Sequence, residues 1–316
     1  MVCETDWRFV FTCLTITLAL FFVVVYGICA ILIYVNRESF HPFFNILLSL
    51  FFLNYTICDF FLAVSNIVLL FNKSSHDMIL HLISDIFYMY VSPCAMLILL
   101  ERVIATWKPA QYEPYRRWLY FWLCQLICLL MSIGIATLKC LPGFSLNNEH
   151  SFALLIMMFL ILSLLVLLLF CNRYMTKEAA GKGLTLSTRY QLAENIKALK
   201  VVIPIITCDS SITLFDLGAQ FFFKVSRTFD MSRCYDNAYI HEFISCQVIR
   251  FALQIAIPLW VFYSHPPLRK FIAGKRNVTK VVEKGRRSII KNVLGKNIGD
   301  VKQNETYETI LKRLWH

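Results

Sequence analysis

The chain has 316 residues, of which 58% are hydrophobic and only 16% are charged. A soluble domain usually carries about 25% charged residues, so the composition excludes an ordinary soluble protein and favours membrane-spanning helices. The net charge of +11 would suit nucleic-acid binding, but the Lys and Arg residues concentrate in a few loops and the tail, which indicates contact with membrane lipid and none with nucleic acid.

Seven long apolar stretches follow one another along the chain, and each is long enough to cross a bilayer as a helix. They span residues 9–35, 42–71, 79–100, 118–138, 151–170, 199–223 and 238–263. The first is too long for a signal-peptide core and follows no basic region, so we expect a retained anchor helix. We predict an all-α, seven-transmembrane helix bundle over residues 9–263, preceded by a short N-terminus, 1–8, and followed by a short interfacial helix and a basic tail, 264–316.

The distribution of positive charge predicts which side of the membrane each loop faces. With the N-terminus outside, the inner segments hold 24 Lys and Arg residues and the outer segments hold 6. The positive-inside rule therefore predicts an extracellular N-terminus and a cytoplasmic C-terminus. The glycosylation sequon at Asn72 would then lie outside, whereas those at Asn277 and Asn304 would lie inside and stay unused.

Glu101 and Arg102 follow the third span, where long charged side chains can reach the membrane interface. One interpretation is a switch, in which Arg102 is paired in the resting protein and reaches a G protein when the helices part. The other is an ordinary charge pair at a helix end. Two basic segments on the same side, 108–117 and 171–200, favour the switch.

Ionisable residues within the spans are costly and usually face a partner or a cavity. At about 1.5 Å of rise per residue, Asp209 of the sixth span and Arg250 of the seventh both fall near the midplane, and we predict that they face each other as a polar lock. Such a lock would either respond to activation or only hold the two helices together. Three acids nearer the outer side, Asp85, Asp216 and Glu242, would bind a cationic or polar ligand, or else face loop cations or water.

Two segments of the sequence resemble a known receptor family. ERVIATWKPAQYE after the third span and LSTRYQLAENIKALK before the sixth are similar to the nematode serpentine chemoreceptors of the Sra, Srab, Srb and Sre group, nearest to Sre. The resemblance implies a G-protein-coupled chemoreceptor of the plasma membrane, in sensory neurons, that binds an extracellular small-molecule or peptide cue and a heterotrimeric G protein. The matching positions that would form the switch and the coupling surface are Glu101, Arg102, Tyr112, Glu113, Arg189, Tyr190, Gln191, Glu194 and Asn195.

The chain departs from the large rhodopsin-like receptors in its cysteines. No cysteine lies near the outer end of the third span, so the usual disulfide to the second outer loop cannot form. The outer segments contain only Cys3, Cys140 and Cys234, which allows one bridge and one leftover thiol. We favour a bridge between Cys140 and Cys234.

Other classes of function fit the sequence less well. There is no GxGD or HExxH motif, and His81 and His241 are isolated, so we expect no enzyme, no metal site and no cofactor. The alternative to a receptor is an ion or solute transporter or channel whose intramembrane acids line the path. Inverted repeats or broken helices would favour that alternative, and the sequence contains neither. A dimer is left open.

Overall fold

The structure is a computed structural model of the chain. Helices make up nearly all of the part that it describes. It describes residues 2–35, 40–71, 77–107, 118–138, 147–181, 186–225, 233, 236–264, 289–291 and 297–300. Within this part of the chain, seven α-helices follow in order: α1 Val2–Val35, α2 Pro42–Phe71, α3 Asp77–Trp107, α4 Trp118–Leu138, α5 Asn147–Gly181, α6 Leu186–Gly218 and α7 Asn237–Ser264. A π-helical turn, Ala219–Phe223, continues α6 directly.

All seven helices are long and apolar enough to cross a membrane. Many of their outward-facing side chains are large and hydrophobic, as along α5, where Phe152, Phe159 and Phe170 are each more than 60% exposed. A water-soluble bundle would place polar residues on this outer face, whereas lipid accepts apolar ones. The prediction of a helix bundle with seven long apolar helices, each suited to cross a membrane, is confirmed.

Four helices extend well past their predicted apolar spans. α1 begins at Val2, α3 continues to Trp107, α5 continues to Gly181 and α6 begins at Leu186. Hydropathy marks only the part of a helix that suits lipid, whereas the backbone hydrogen bonds continue through polar turns. As a result, Glu101 and Arg102 lie more than one turn inside α3 and not at its end, which corrects the sequence prediction.

The bundle contains two separate groups of buried hydrophobic side chains. The larger contains side chains of α1, α2, α3, α5, α6 and α7, and it includes an aromatic stack in which the ring centroids of Tyr26 and Tyr55 are 4.9 Å apart. The smaller joins α1 to α7 and the end of α6 through Phe11, Tyr239 and Phe243. α6 belongs to both groups, so its position depends on contacts near each of its ends.

The C-terminal tail contains a short hairpin that the sequence did not predict. Strand β1, Ile289–Lys291, pairs antiparallel with β2, Asn297–Asp300, and the register is irregular between its two pairs. The interfacial helix predicted just after α7 lies outside the described residues.

Candidate functional site

Arg102 is buried at one end of the bundle, where it contacts three helices. It is only 2% exposed. Its Nε and Nη2 donate to the two carboxylate oxygens of Glu101, the preceding residue on α3. Its Nη1 donates to Oδ1 of Asn195 on α6 at 3.2 Å, and its guanidinium carbon lies 4.6 Å from the ring centroid of Phe44 on α2. The arginine is thus charge-neutralised within its own helix and hydrogen-bonded across to α6.

Thr106 supplies the second bond between α3 and α6 at this end. The Asn195 Nδ2 donates to the Thr106 hydroxyl, which in turn donates to the backbone oxygen of Arg102 at 2.8 Å. Both ties to α6 are therefore made by one neutral amide. We call Glu101, Arg102, Thr106 and Asn195 the Arg102 cluster.

His41, just before α2, lies at the edge of this cluster. Its Nδ1 is 3.9 Å from Oε1 of Glu101, and its side chain is about nine-tenths buried. An imidazole at this distance interacts with the carboxylate electrostatically and does not form a direct hydrogen bond. The sequence reading did not single out His41, because its contact with α3 depends on how α2 packs.

The structure brings together three of the nine predicted switch and coupling residues, namely Glu101, Arg102 and Asn195. Glu194 is half-buried beside Asn195 on α6. The other five side chains lie outside the described residues: Tyr112, Glu113, Arg189, Tyr190 and Gln191. Thr106 was part of the matched sequence pattern but not of the predicted site, although its position four residues after Arg102 places both on one helix face.

At the other end of α6, Arg250 binds Asp216 and not the predicted partner, Asp209. Its Nε and Nη2 both lie 2.7 Å from Oδ1 of Asp216. Its Nη1 donates to Gln247 at 2.9 Å, and Tyr88 of α3 donates to Oδ2 of Asp216 at 3.3 Å. We call Tyr88, Asp216, Gln247 and Arg250 the Arg250 cluster.

The direction of helical side chains explains why the predicted pairing fails. Side chains lean toward the N-terminus of their own helix. Arg250 therefore reaches toward the start of α7, which lies beside the end of α6. Asp216 is nearer that end than Asp209 by seven residues, about 10 Å of helix. Counting residues located the backbone depth of both groups but ignored the reach of the arginine.

The predicted ligand-binding acids are now distinguished by their contacts. Asp216 is occupied by Arg250, so it serves first as an ion-pair partner. Asp85 on α3 and Glu242 on α7 are half-buried. Among the described residues, no group of three or more His, Cys, Asp or Glu side chains is arranged to hold a metal ion.

The remaining predicted sites fall elsewhere. Asn72, Cys140 and Cys234 lie outside the described residues. Every cysteine whose side chain is described is a free thiol.

Arg233 connects the segment that ends α6 to the start of α7. Its Nη1 donates to the carbonyls of Phe223 and Lys224, each at 3.3 Å, and its Nη2 lies 3.4 Å from Asp236. Its guanidinium carbon also lies 4.3 Å from the ring centroid of Tyr239. Asp236 in turn accepts hydrogen bonds from the first backbone N–H groups of α7, as a helix cap does.

Comparison with known proteins gives one family match. The family model for the Sre G protein-coupled chemoreceptors matches residues 65–316. The match includes α3 to α7, and with them the whole of the Arg102 and Arg250 clusters. Among curated proteins there is no match to the chain.

Proposed function

The chain belongs to the Sre G protein-coupled chemoreceptor family, and from this premise we propose that it binds a chemical cue on the extracellular side and signals to a heterotrimeric G protein. The observation that carries the proposal is the Arg102 cluster, in which a buried arginine joins α3 to α6. We propose that it acts in the plasma membrane of sensory neurons.

The Arg102 cluster suits a switch because α6 can leave α3 without separating opposite charges. Glu101 and Arg102 are neighbours on one helix, so the ion pair moves as a unit. Within the Arg102 cluster, as far as the structure describes it, the hydrogen bonds that cross to α6 are those of Asn195. A typical net contribution is about 0.5–1.5 kcal/mol for a neutral hydrogen bond and about 1.5–3 kcal/mol for one to a charged group. A ligand with a modest preference for the separated state would shift this equilibrium.

α6 also contains a point at which bending costs little. Pro204 lies within the helix, between Asn195 and the Arg250 cluster. Proline has no backbone N–H, so one helical hydrogen bond is missing there. We propose that the Asn195 end of α6 swings about this region while its other end stays bound to α7, exposing Arg102 to the G protein. The proposed coupling surface also includes the loop at Tyr112 and Glu113 and the start of α6 at Arg189, Tyr190, Gln191 and Glu194.

On this proposal the cue enters at the Arg250 end of the bundle. The half-buried acids Asp85 and Glu242 are the proposed contacts for a polar or cationic group, and the excess of Lys and Arg in the opposite loops supports this side as the extracellular one. Glycosylation mapping tests the orientation, with Asn72, Asn277 and Asn304 each replaced by Gln. Loss of glycan only in Asn72→Gln supports the proposal, whereas glycan on Asn277 or Asn304 contradicts it.

Basal nucleotide exchange tests the switch without a known ligand. The purified protein in lipid nanodiscs is assayed against a panel of heterotrimeric G proteins. We expect Asn195→Ala to raise basal exchange several-fold, because α6 loses the two hydrogen bonds that Asn195 makes to α3. Arg102→Ala should abolish the nucleotide exchange that the protein stimulates on every G protein in the panel.

A matched control lies on the same helix. Thr207 is exposed, and within the described part of the chain its hydroxyl donates to the backbone oxygen of Ile203, 2.7 Å away on the same helix. Thr207→Ala should therefore exchange nucleotide as the wild type does. Exchange that is unchanged in Arg102→Ala would contradict the proposed role of the arginine.

A further inference from the structure

Asp209 is a buried carboxyl group in the middle of α6 whose expected countercharge is used elsewhere. It is 1% exposed. Its Oδ1 accepts a hydrogen bond from the hydroxyl of Tyr55 on α2. Its Oδ2 is also buried, and no hydrogen-bond donor reaches it from the part of the chain that the structure describes. Arg250, the cation predicted for it, is bound to Asp216.

The groups that surround Asp209 supply no positive charge. The titratable side chains that interact electrostatically with Asp209 or Tyr55 are Tyr26 on α1, Tyr88 and Cys94 on α3 and Cys208 on α6, and Tyr26 in turn interacts with Cys29 on α1 and Asp59 on α2. From α7, the nearby contribution is the backbone oxygen of Gln254, which accepts a hydrogen bond from Tyr26 at 2.9 Å. All of these groups are neutral or acidic.

Burying an ionised carboxylate in this position would cost a large free energy. Membrane-spanning charges are tolerated where they meet a cation, several donors or water, and Asp209 has one phenolic donor. A carboxylic acid that keeps its proton avoids the cost of burying a charge. It can still accept the hydrogen bond from Tyr55 through its carbonyl oxygen.

We propose that Asp209 is a proton-binding site, in which the carboxyl group carries a proton while α2 and α6 are packed together. When the helices separate and water reaches the group, the proton passes to water and a carboxylate remains. The packed bundle then binds one more proton than the unfolded chain does near neutral pH, so its stability falls as pH rises. This proposal rests on the packing around Asp209 and does not depend on the proposed function.

Infrared spectroscopy tests the proposal directly on the full-length protein in lipid at neutral pH. We expect the wild type to show the carbonyl stretch of a protonated carboxylic acid, which shifts on labelling with ¹³C-aspartate. The band should disappear in Asp209→Asn and remain in Asp236→Asn, since Asp236 is exposed and caps α7. In Tyr55→Phe it should remain at a higher frequency, because the hydrogen bond to the carbonyl oxygen is lost.

Thermal stability supplies a second readout. The midpoint of the wild type should fall as pH rises from mildly acidic to neutral, whereas that of Asp209→Asn should not. Identical infrared spectra of wild type and Asp209→Asn would overturn the proposal. So would a midpoint that rises with sodium at constant ionic strength only when Asp209 is present, because that result means a carboxylate with a bound cation. Failure of the nearly isosteric Asp209→Asn to fold would also count against a neutral acid.

Discussion

Two buried arginines hold the two ends of α6, and they do so in different ways. Arg102 has its countercharge, Glu101, on its own helix, and among the described residues it is hydrogen-bonded to α6 through the amide of Asn195. Arg250 has its countercharge, Asp216, on α6 itself. Moving α6 at the first end breaks hydrogen bonds, whereas moving it at the second end separates buried charges.

The location of the countercharge therefore decides whether the contact of an arginine with α6 can open readily or holds the helix in place. Breaking a buried ion pair by removing one partner costs about 3–5 kcal/mol, because it leaves a charge unpaired. The two bonds of the Asn195 amide contribute about 2–4.5 kcal/mol together at typical values, and breaking them leaves Arg102 still paired with Glu101. The two clusters are 21 residues apart on α6, about 30 Å along the helix. We call the Arg250 end of α6 the tight end and the Arg102 end the loose end. Movement of α6 is favoured at the loose end.

The largest expected effect comes from breaking the tight end. Replacing Arg250 with Met leaves the largely enclosed carboxylate of Asp216 with the Tyr88 hydroxyl as its one hydrogen-bond donor among the described side chains, so we expect a loss of about 3–5 kcal/mol in unfolding free energy. Thermal unfolding of the purified protein measures it.

Replacing both partners separates this charge effect from lost packing. Arg250→Met combined with Asp216→Leu leaves no uncompensated charge and should recover most of the stability. If the single and the double variant are equally unstable, the ion pair is not what holds α6 to α7.

The second prediction concerns a double variant in which the loose end of α6 is held by an ion pair, as the tight end is. In Glu101→Gln combined with Asn195→Asp, the countercharge of Arg102 moves from α3 to α6 without a change in net charge. The crossing contact becomes ionic, although the carboxylate can no longer donate to the Thr106 hydroxyl. We expect a net strengthening on the order of 1 kcal/mol, because moving α6 away from α3 would now separate opposite charges. Basal nucleotide exchange should fall roughly tenfold.

Each single variant is a control for the exchange of charges. Glu101→Gln alone leaves Arg102 buried without a carboxylate and should lower stability. Asn195→Asp alone places two acids beside one arginine and should gain less than the double variant. If basal exchange in the double variant equals or exceeds the wild-type rate, the contact between Arg102 and residue 195 does not restrain α6.

Much of this architecture could be predicted from the sequence, because membrane spans are read from apolar runs and Glu101, Arg102 and Asn195 lie in recognisable segments. The predicted partner of Arg250 was wrong because a residue count gives backbone depth and not the reach of a long side chain. His41 and Tyr55 were missed for a different reason. Their contacts with Glu101 and Asp209 depend on how α2 packs against α3 and α6, and no spacing within one helix contains that information.

The smallest expected effect concerns Arg233, which supports the tight end from outside the bundle. Its side chain is 31% exposed and that of Asp236 is 48% exposed, so solvent screens the pair and its contribution is small. Arg233→Ala should cost about 0.5–1 kcal/mol, partly through loss of the contact with Tyr239. Arg233→Lys keeps the charge but not the planar group that reaches two carbonyls and a ring, and should recover less than half of the loss.

Thermal midpoints at low and high salt measure both variants, and salt should reduce the difference between wild type and Arg233→Ala. A loss in Arg233→Ala as large as that in Arg250→Met would mean that α6 is held at this end by the loop and not by the buried ion pair.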